Sequence, residues 1–260
     1  MAAHKIVRSL MPKEHGAYGQ LALPLITALL CGRPTVAALF HATTAVLAFF
    51  AHEPLLVLLG HRGSRALRES DARARVRFLL LAVLSLFCAV LALACSALGA
   101  QLAFLVPLLG AALVGFAIWR KQERSAWGEI AAASALSSAG LPVAIAGGVS
   151  PPLAFLGWGV WSIGFALVTL SLRRVIQGGR GTTHDGAWSF ALPSLLLCAC
   201  SIAAWISDSM AVAAMPMVGF ASGLLVAPPS PKRLPRIGWF LVMSSVATGL
   251  LLVRSIRSAA

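Results

Sequence analysis

Two long stretches of this chain carry no charged side chain: residues 78–118, which are 41 in number, and residues 130–172, which are 43. A helix rises 1.5 Å per residue and the hydrocarbon core of a bilayer is about 30 Å thick, so about 20 residues make one crossing. Each stretch is therefore two crossings. Gly99-Ala100-Gln101 divides the first, and Gly147-Gly148-Val149-Ser150-Pro151-Pro152 divides the second, because two prolines cannot continue a helix. With the remaining apolar windows, the expected fold is all-α. It is a polytopic membrane bundle of about nine transmembrane helices, at roughly residues 17–31, 35–59, 78–98, 101–118, 130–148, 153–172, 187–207, 211–227 and 237–253. Residues 1–260 form one integral membrane domain. Eight helices is the alternative, because the hairpin at Asp208 and the short last segment are the weakest signals.

Only 11% of the residues are charged, against 59% hydrophobic; a soluble domain carries about 25% charged residues. This excludes an ordinary globular enzyme, a disordered tail, a secreted disulfide scaffold and a free nucleic-acid binder. The net charge of +13 is then a topology device and a partner for anionic lipid headgroups, with no nucleic acid implied. With nine helices, 18 of the Lys and Arg residues fall on one side and 3 on the other. Basic residues accumulate on the cytoplasmic side. The N-terminus is expected to be cytoplasmic and the C-terminus outside. A cleaved signal peptide does not fit, because Glu14 and His15 interrupt its approach and Cys31-Gly32-Arg33-Pro34 leads into another apolar segment. Cys31, Cys88, Cys95, Cys198 and Cys200 lie in apolar segments without CxxC spacing and read as packing residues.

The helix starts echo one another. Lys13-Glu14-His15-Gly16-Ala17-Tyr18-Gly19-Gln20-Leu21 opens the first helix and Gln122-Glu123-Arg124-Ser125-Ala126-Trp127-Gly128-Glu129-Ile130 the fifth. Asp185-Gly186-Ala187-Trp188 is a shorter third echo. Interfacial aromatics and small packing residues explain part of this. The acid recurring upstream points to a structural repeat, as in many transporters.

Eight acids exist, and three lie beside histidine: Glu14-His15, His52-Glu53 and His184-Asp185. Glu14, His15, His52 and Glu53 are the candidate proton donors and acceptors. Glu53 is the most informative, because it stands about 10 Å inside its presumed helix end. An ionised carboxylate there costs about 2.5–3.5 kcal/mol, so His52, Arg62 or a bound cation must pair with it. Pro54 deprives the Phe50 carbonyl of its helical donor and leaves a polar notch. His61, Arg62 and Arg65 after the second helix, and Arg173, Arg174 and His184 after the sixth, are candidates for binding an anion or lipid headgroup, because guanidinium forks suit phosphate and carboxylate. No HxxH or ExxH spacing marks a metal site, and the sequence implies no particular cofactor.

Pro12-Lys13-Glu14-His15-Gly16-Ala17-Tyr18-Gly19, taken with His52-Glu53-Pro54-Leu55-Leu56-Val57-Leu58-Leu59-Gly60-His61-Arg62-Gly63, resembles the YwiC-like family of bacterial integral membrane proteins. That resemblance implies a multi-pass protein of the bacterial cytoplasmic (inner) membrane and brings no biochemical activity with it. More distantly, the chain is similar to UbiA-type intramembrane prenyltransferases. These have nine helices, a cytoplasmic N-terminus and functional loops between helices two and three and helices six and seven. Their aspartate-rich motifs, which bind Mg²⁺ and a diphosphate, are missing here. Leu56, Val57 and Leu58 follow His52-Glu53, and Ser171-Leu172-Arg173-Arg174 contains no acid.

The functional expectation is a UbiA-like bundle that binds or modifies an amphipathic anionic, isoprenoid-like lipid in a cytoplasmic-side cavity. If there is chemistry, it is that of a transferase without the usual metal motifs. A proton-coupled transporter of a small solute is the alternative, and a non-catalytic subunit of a membrane complex the third reading. The partners expected are membrane lipid and an anionic lipid or small-molecule ligand.

Overall fold

The computed structural model describes residue 11, residues 15–178 and residues 209–259, and among these there are helices and no strands. In chain order the helices are α1 (His15–Cys31), α2 (Val36–Leu58), α3 (Ser64–Ala94), α4 (Leu98–Ala103), α5 (Leu105–Trp119), α6 (Ala126–Ser138), α7 (Gly140–Ala146), α8 (Pro151–Gly178), α9 (Ser209–Val226) and α10 (Leu234–Ala259). Among the described residues, six helical stretches are long and apolar enough to cross a membrane: Val36–Leu58, Leu67–Ala94, Leu98–Trp119, Ala126–Ala146, Pro151–Gln177 and Pro231–Ala259. Gly16–Cys31 and Val212–Val226 are apolar but shorter. The chain is thus a multi-pass helical membrane protein. The expected helix at 187–207 lies outside the described residues.

Prolines explain the local breaks. Pro107 has no N–H to return to Ala103, where α4 ends, and Pro142 has none for Ser138, where α6 ends. In both places the backbone stays near the helical region, at Phe104 and at Ala139, so each broken pair still reads as one crossing. Pro24 and Pro54 are likewise contained within α1 and α2.

The largest departure from the sequence expectation is α3, which begins at Ser64 and not near residue 78. Charge marks where a helix leaves hydrocarbon, not where it stops being a helix. Residues 64–77 contain no proline or glycine, and Arg and Ala are strong helix formers. Ion pairs one turn apart support them: Arg65 with Glu69 and Asp71 with Arg75, both at 2.9 Å. By the same logic α8 runs on to Gly178, so Arg173 and Arg174 are helical residues and not loop residues.

The core lies where α1 meets α6, α7, α8 and α10, with Leu21, Leu25, Leu141, Trp161, Phe165, Leu167 and Leu252 buried together. α3 packs chiefly on α2, where the buried Ser85 hydroxyl donates to the Thr44 carbonyl at 3.1 Å. It leaves Leu79, Leu80, Val83, Leu86, Phe87 and Val90 exposed, as a lipid-facing helix does.

At the end of the bundle away from the Gly60–Gly63 turn, the α1–α2 turn docks on the α7–α8 turn. The Arg33 amide donates to the Gly147 carbonyl at 2.7 Å. The Thr35 hydroxyl, which also caps α2 through the Ala38 amide, donates to the Ala146 carbonyl at 2.9 Å. Gly32 and Gly147 let the backbones touch, because an added Cβ on Gly32 would stand 2.8 Å from the Gly147 oxygen. The two hairpins that meet here begin with the echoing segments, at His15 and Ala126.

Candidate functional site

Glu53 is 2% exposed on α2, one turn beyond Phe49 and Phe50. Tyr18 of α1 packs edge-on against Phe49 at 5.1 Å between ring centres and lies 6.2 Å from Phe50. Arg62, one of the partners expected for its charge, meets it. Arg62 Nε donates to Glu53 Oε1 at 3.0 Å and Nη2 to Oε2 at 2.6 Å. This fork-on-carboxylate geometry is the strong form of an ion pair.

The turn that delivers Arg62 is written in the sequence as Gly60-His61-Arg62-Gly63. Both glycines have positive φ, 76° and 91°, a region that side chains with a Cβ avoid. The His61 amide donates to the Leu56 carbonyl and the Gly63 amide to the Gly60 carbonyl, each at 3.0 Å. The chain therefore leaves α2, reverses, and lays Arg62 back over a residue nine positions earlier. His61 is exposed at the tip, and His52 is half-buried on α2.

A second ion pair joins α6 to α8. Arg173 Nε donates to Glu129 Oε2 at 2.8 Å, and Arg173 Nη2 donates to the Arg124 carbonyl. Glu129 sits in the first turn of α6, where the helix dipole favours an acid, and Ser125 caps that turn through the Gly128 amide at 3.1 Å. Glu129 was not among the sequence candidates. Its only signal was membership of the echoing helix start; that it faces Arg173 is a matter of tertiary packing.

The expected residues are thus only partly brought together. Glu53 joins Arg62, and Arg173 joins Glu129, on different helix pairs. His61, Arg65 and Arg174 hydrogen-bond to neither pair. Arg65 is exposed and pairs with Glu69, whose hydrogen bond and charge raise the Arg65 pKa above its ordinary value. Glu14, His184 and the side chain of His15 lie outside the described residues.

Beside the Arg62 turn, Leu58, Leu67, Arg68, Asp71 and Arg75 border an open cleft of about 560 Å³. Asp71 pairs with Arg75, and no carboxylate holds Arg68 among the described residues. A transporter would need polar groups in the opposite half of the bundle, where the sequence offers Thr43, Thr44, Ser137 and Ser138: Thr43 donates to the Leu39 carbonyl, Thr44 to that of Phe40, Ser138 to that of Ala135 and Ser137 to that of Ser134, with Ser137 also 3.3 Å from the Ser162 hydroxyl of α8.

No curated protein and no solved structure matches the chain. The family model described as YwiC-like protein matches residues 11–145, just over half of the chain. That span includes the Glu53–Arg62 pair, its glycine-bracketed turn and Glu129. This multi-pass helical protein belongs to the YwiC-like family.

Proposed function

We propose that the protein binds an amphipathic anionic lipid, isoprenoid-like in its long apolar tail, at the arginine-rich end of the bundle, and that this end faces the cytoplasm of a bacterial cell. The observation that carries the reading is one stripe of α3. Arg68, Arg75, Leu79, Val83, Leu86 and Val90 recur at helical spacing on one side, and all are exposed. From Arg75 to Val90 the helix rises about 22 Å, long enough to carry an extended lipid tail beneath a headgroup held by guanidinium.

The anion-binding set differs from the one suggested by sequence, because Arg62 and Arg173 are already engaged by carboxylates. The headgroup falls to Arg68, with Arg75 shared between the ligand and Asp71. Glu53 then acts through Arg62: it anchors the turn that sets Leu58 and Leu67 at the mouth of the cleft. The transporter reading gains less support, because the hydroxyls it needs in the opposite half are few and each donates its proton to a carbonyl of its own helix.

Lipid mass spectrometry on purified protein tests the proposal. Arg68→Ala and Arg75→Ala should each lose a co-purifying anionic lipid that wild type retains, whereas Asp71→Asn should keep it. The tail identified in the spectrum separates an isoprenoid from a glycerophospholipid. Equal lipid content in wild type and both arginine variants would overturn the reading.

A further inference from the structure

The turn that ends α5 carries a feature used by neither ion pair nor the α3 cleft. Lys121 has a φ of 56°, and among the described residues it is the only one besides glycines with a positive φ. Its amide donates to the Ile118 carbonyl and the Gln122 amide to the Ala117 carbonyl, both at 2.8 Å. This pair of bonds closes a helix on a left-handed residue, a position that glycine fills without strain. A longer side chain is strained there, and backbone strain clusters where a residue has a task.

What the strain retains is a cation beside another cation. The Arg120 Cζ lies 5.4 Å from the centre of the Phe116 ring and 5.7 Å from that of Trp119. Both rings are exposed. Attraction to the ring faces holds the guanidinium in place, while none of its N–H groups donates to an acceptor among the described residues. The acid of this turn, Glu123, forms no ion pair among the described residues either. Arg120 is also the first charged residue after the long uncharged stretch, so it stands where the chain leaves hydrocarbon. Leu109, Leu113 and Phe116 share its side of α5 at helical spacing and are exposed. Gly110 faces the other way, close against Ala135 of α6. From Leu109 to Arg120 the helix rises about 16 Å, close to half of the roughly 30 Å hydrocarbon core and thus to the depth of one leaflet.

We infer that this end of α5 is a docking site for an anionic glycerophospholipid of the surrounding leaflet. Arg120 and Lys121 take the headgroup phosphate, and an acyl chain lies along Phe116, Leu113 and Leu109. The site stands on a different helix from the α3 cleft and takes bilayer lipid, so it does not rest on the lipid reading given above. The probe is phosphatidylglycerol, mixed into phosphatidylcholine nanodiscs that hold the full chain. It should raise the melting temperature of wild type by a few degrees, and Arg120→Gln should lose at least half of that rise. Lys121→Gly relieves the strained turn, so it should melt higher than wild type in pure phosphatidylcholine and yet gain less from phosphatidylglycerol. A purely structural lysine would not give opposite changes in the two lipids. The Arg120→Gln loss should persist in an Arg68→Ala background, so failure of the α3 reading leaves this test standing. An Arg120→Gln variant that keeps the full response overturns the inference. So does inorganic phosphate reproducing the rise in pure phosphatidylcholine, which would mean a free-anion site, and so does a Lys121→Gly variant that gains as much as wild type.

Discussion

Arg62 closes both arms of its guanidinium on Glu53, at 2.6 and 3.0 Å, across a turn bracketed by two left-handed glycines. The carboxylate is 2% exposed and the Arg62 side chain 19%. The carboxylate deep in α2 is therefore tolerated because its counter-charge arrives from the chain immediately after the helix.

Removing Arg62 leaves the Glu53 carboxylate buried without this counter-charge, which costs about 3–5 kcal/mol. Arg62→Ala should lower the thermal stability of the detergent-solubilised protein strongly. Glu53→Leu combined with Arg62→Leu should recover most of that loss, because a well-packed apolar pair substitutes for a buried ion pair at little net cost. A double variant no more stable than Arg62→Ala would show that the pair does more than neutralise a buried charge.

The Glu129–Arg173 pair is wetter, with side chains 41% and 21% exposed. Screening reduces such a pair to about 0.2–1 kcal/mol. Glu129→Gln should therefore destabilise far less than Arg62→Ala, and 0.5 M salt should narrow its difference from wild type. Arg173→Ala should cost more than Glu129→Gln, since it also loses the bond to the Arg124 carbonyl. A thermal-shift series at two salt concentrations reads all three.

Overpacking probes the docked turns. Gly32→Ala or Gly147→Ala places a methyl 2.8–2.9 Å from a backbone oxygen of the opposite turn, and misfits of this kind cost about 1–3 kcal/mol. Gly115→Ala and Gly219→Ala, whose added methyls meet nothing within 4 Å, should leave stability near wild type. Melting temperatures of the four variants in one detergent decide the point.

Orientation is open to direct measurement. In a background lacking all five cysteines, Ser64→Cys at the start of α3 should react with a membrane-impermeant thiol reagent only after the cytoplasmic side is opened. Ser150→Cys, beside the docked turns, should react in intact cells or spheroplasts. The opposite pattern would reverse the assignment drawn from the arginine count.

The sequence by itself determined that the chain is a helical membrane protein, because long uncharged runs have no other stable solution: in hydrocarbon each backbone polar group must be satisfied within its own helix. It also marked Glu53 as needing a partner and confined that partner to a few residues, since the cost of a buried charge can be read from burial depth alone. The start of α3 was hidden, because arginines that signal the end of a membrane span are also good helix formers. Glu129 as the partner of Arg173 and the contact between Gly32 and Gly147 were decided only by the tertiary structure. Each depends on which faces of helices distant in sequence meet, and nearly uniform hydrophobicity around a membrane helix erases the periodicity that would reveal those faces.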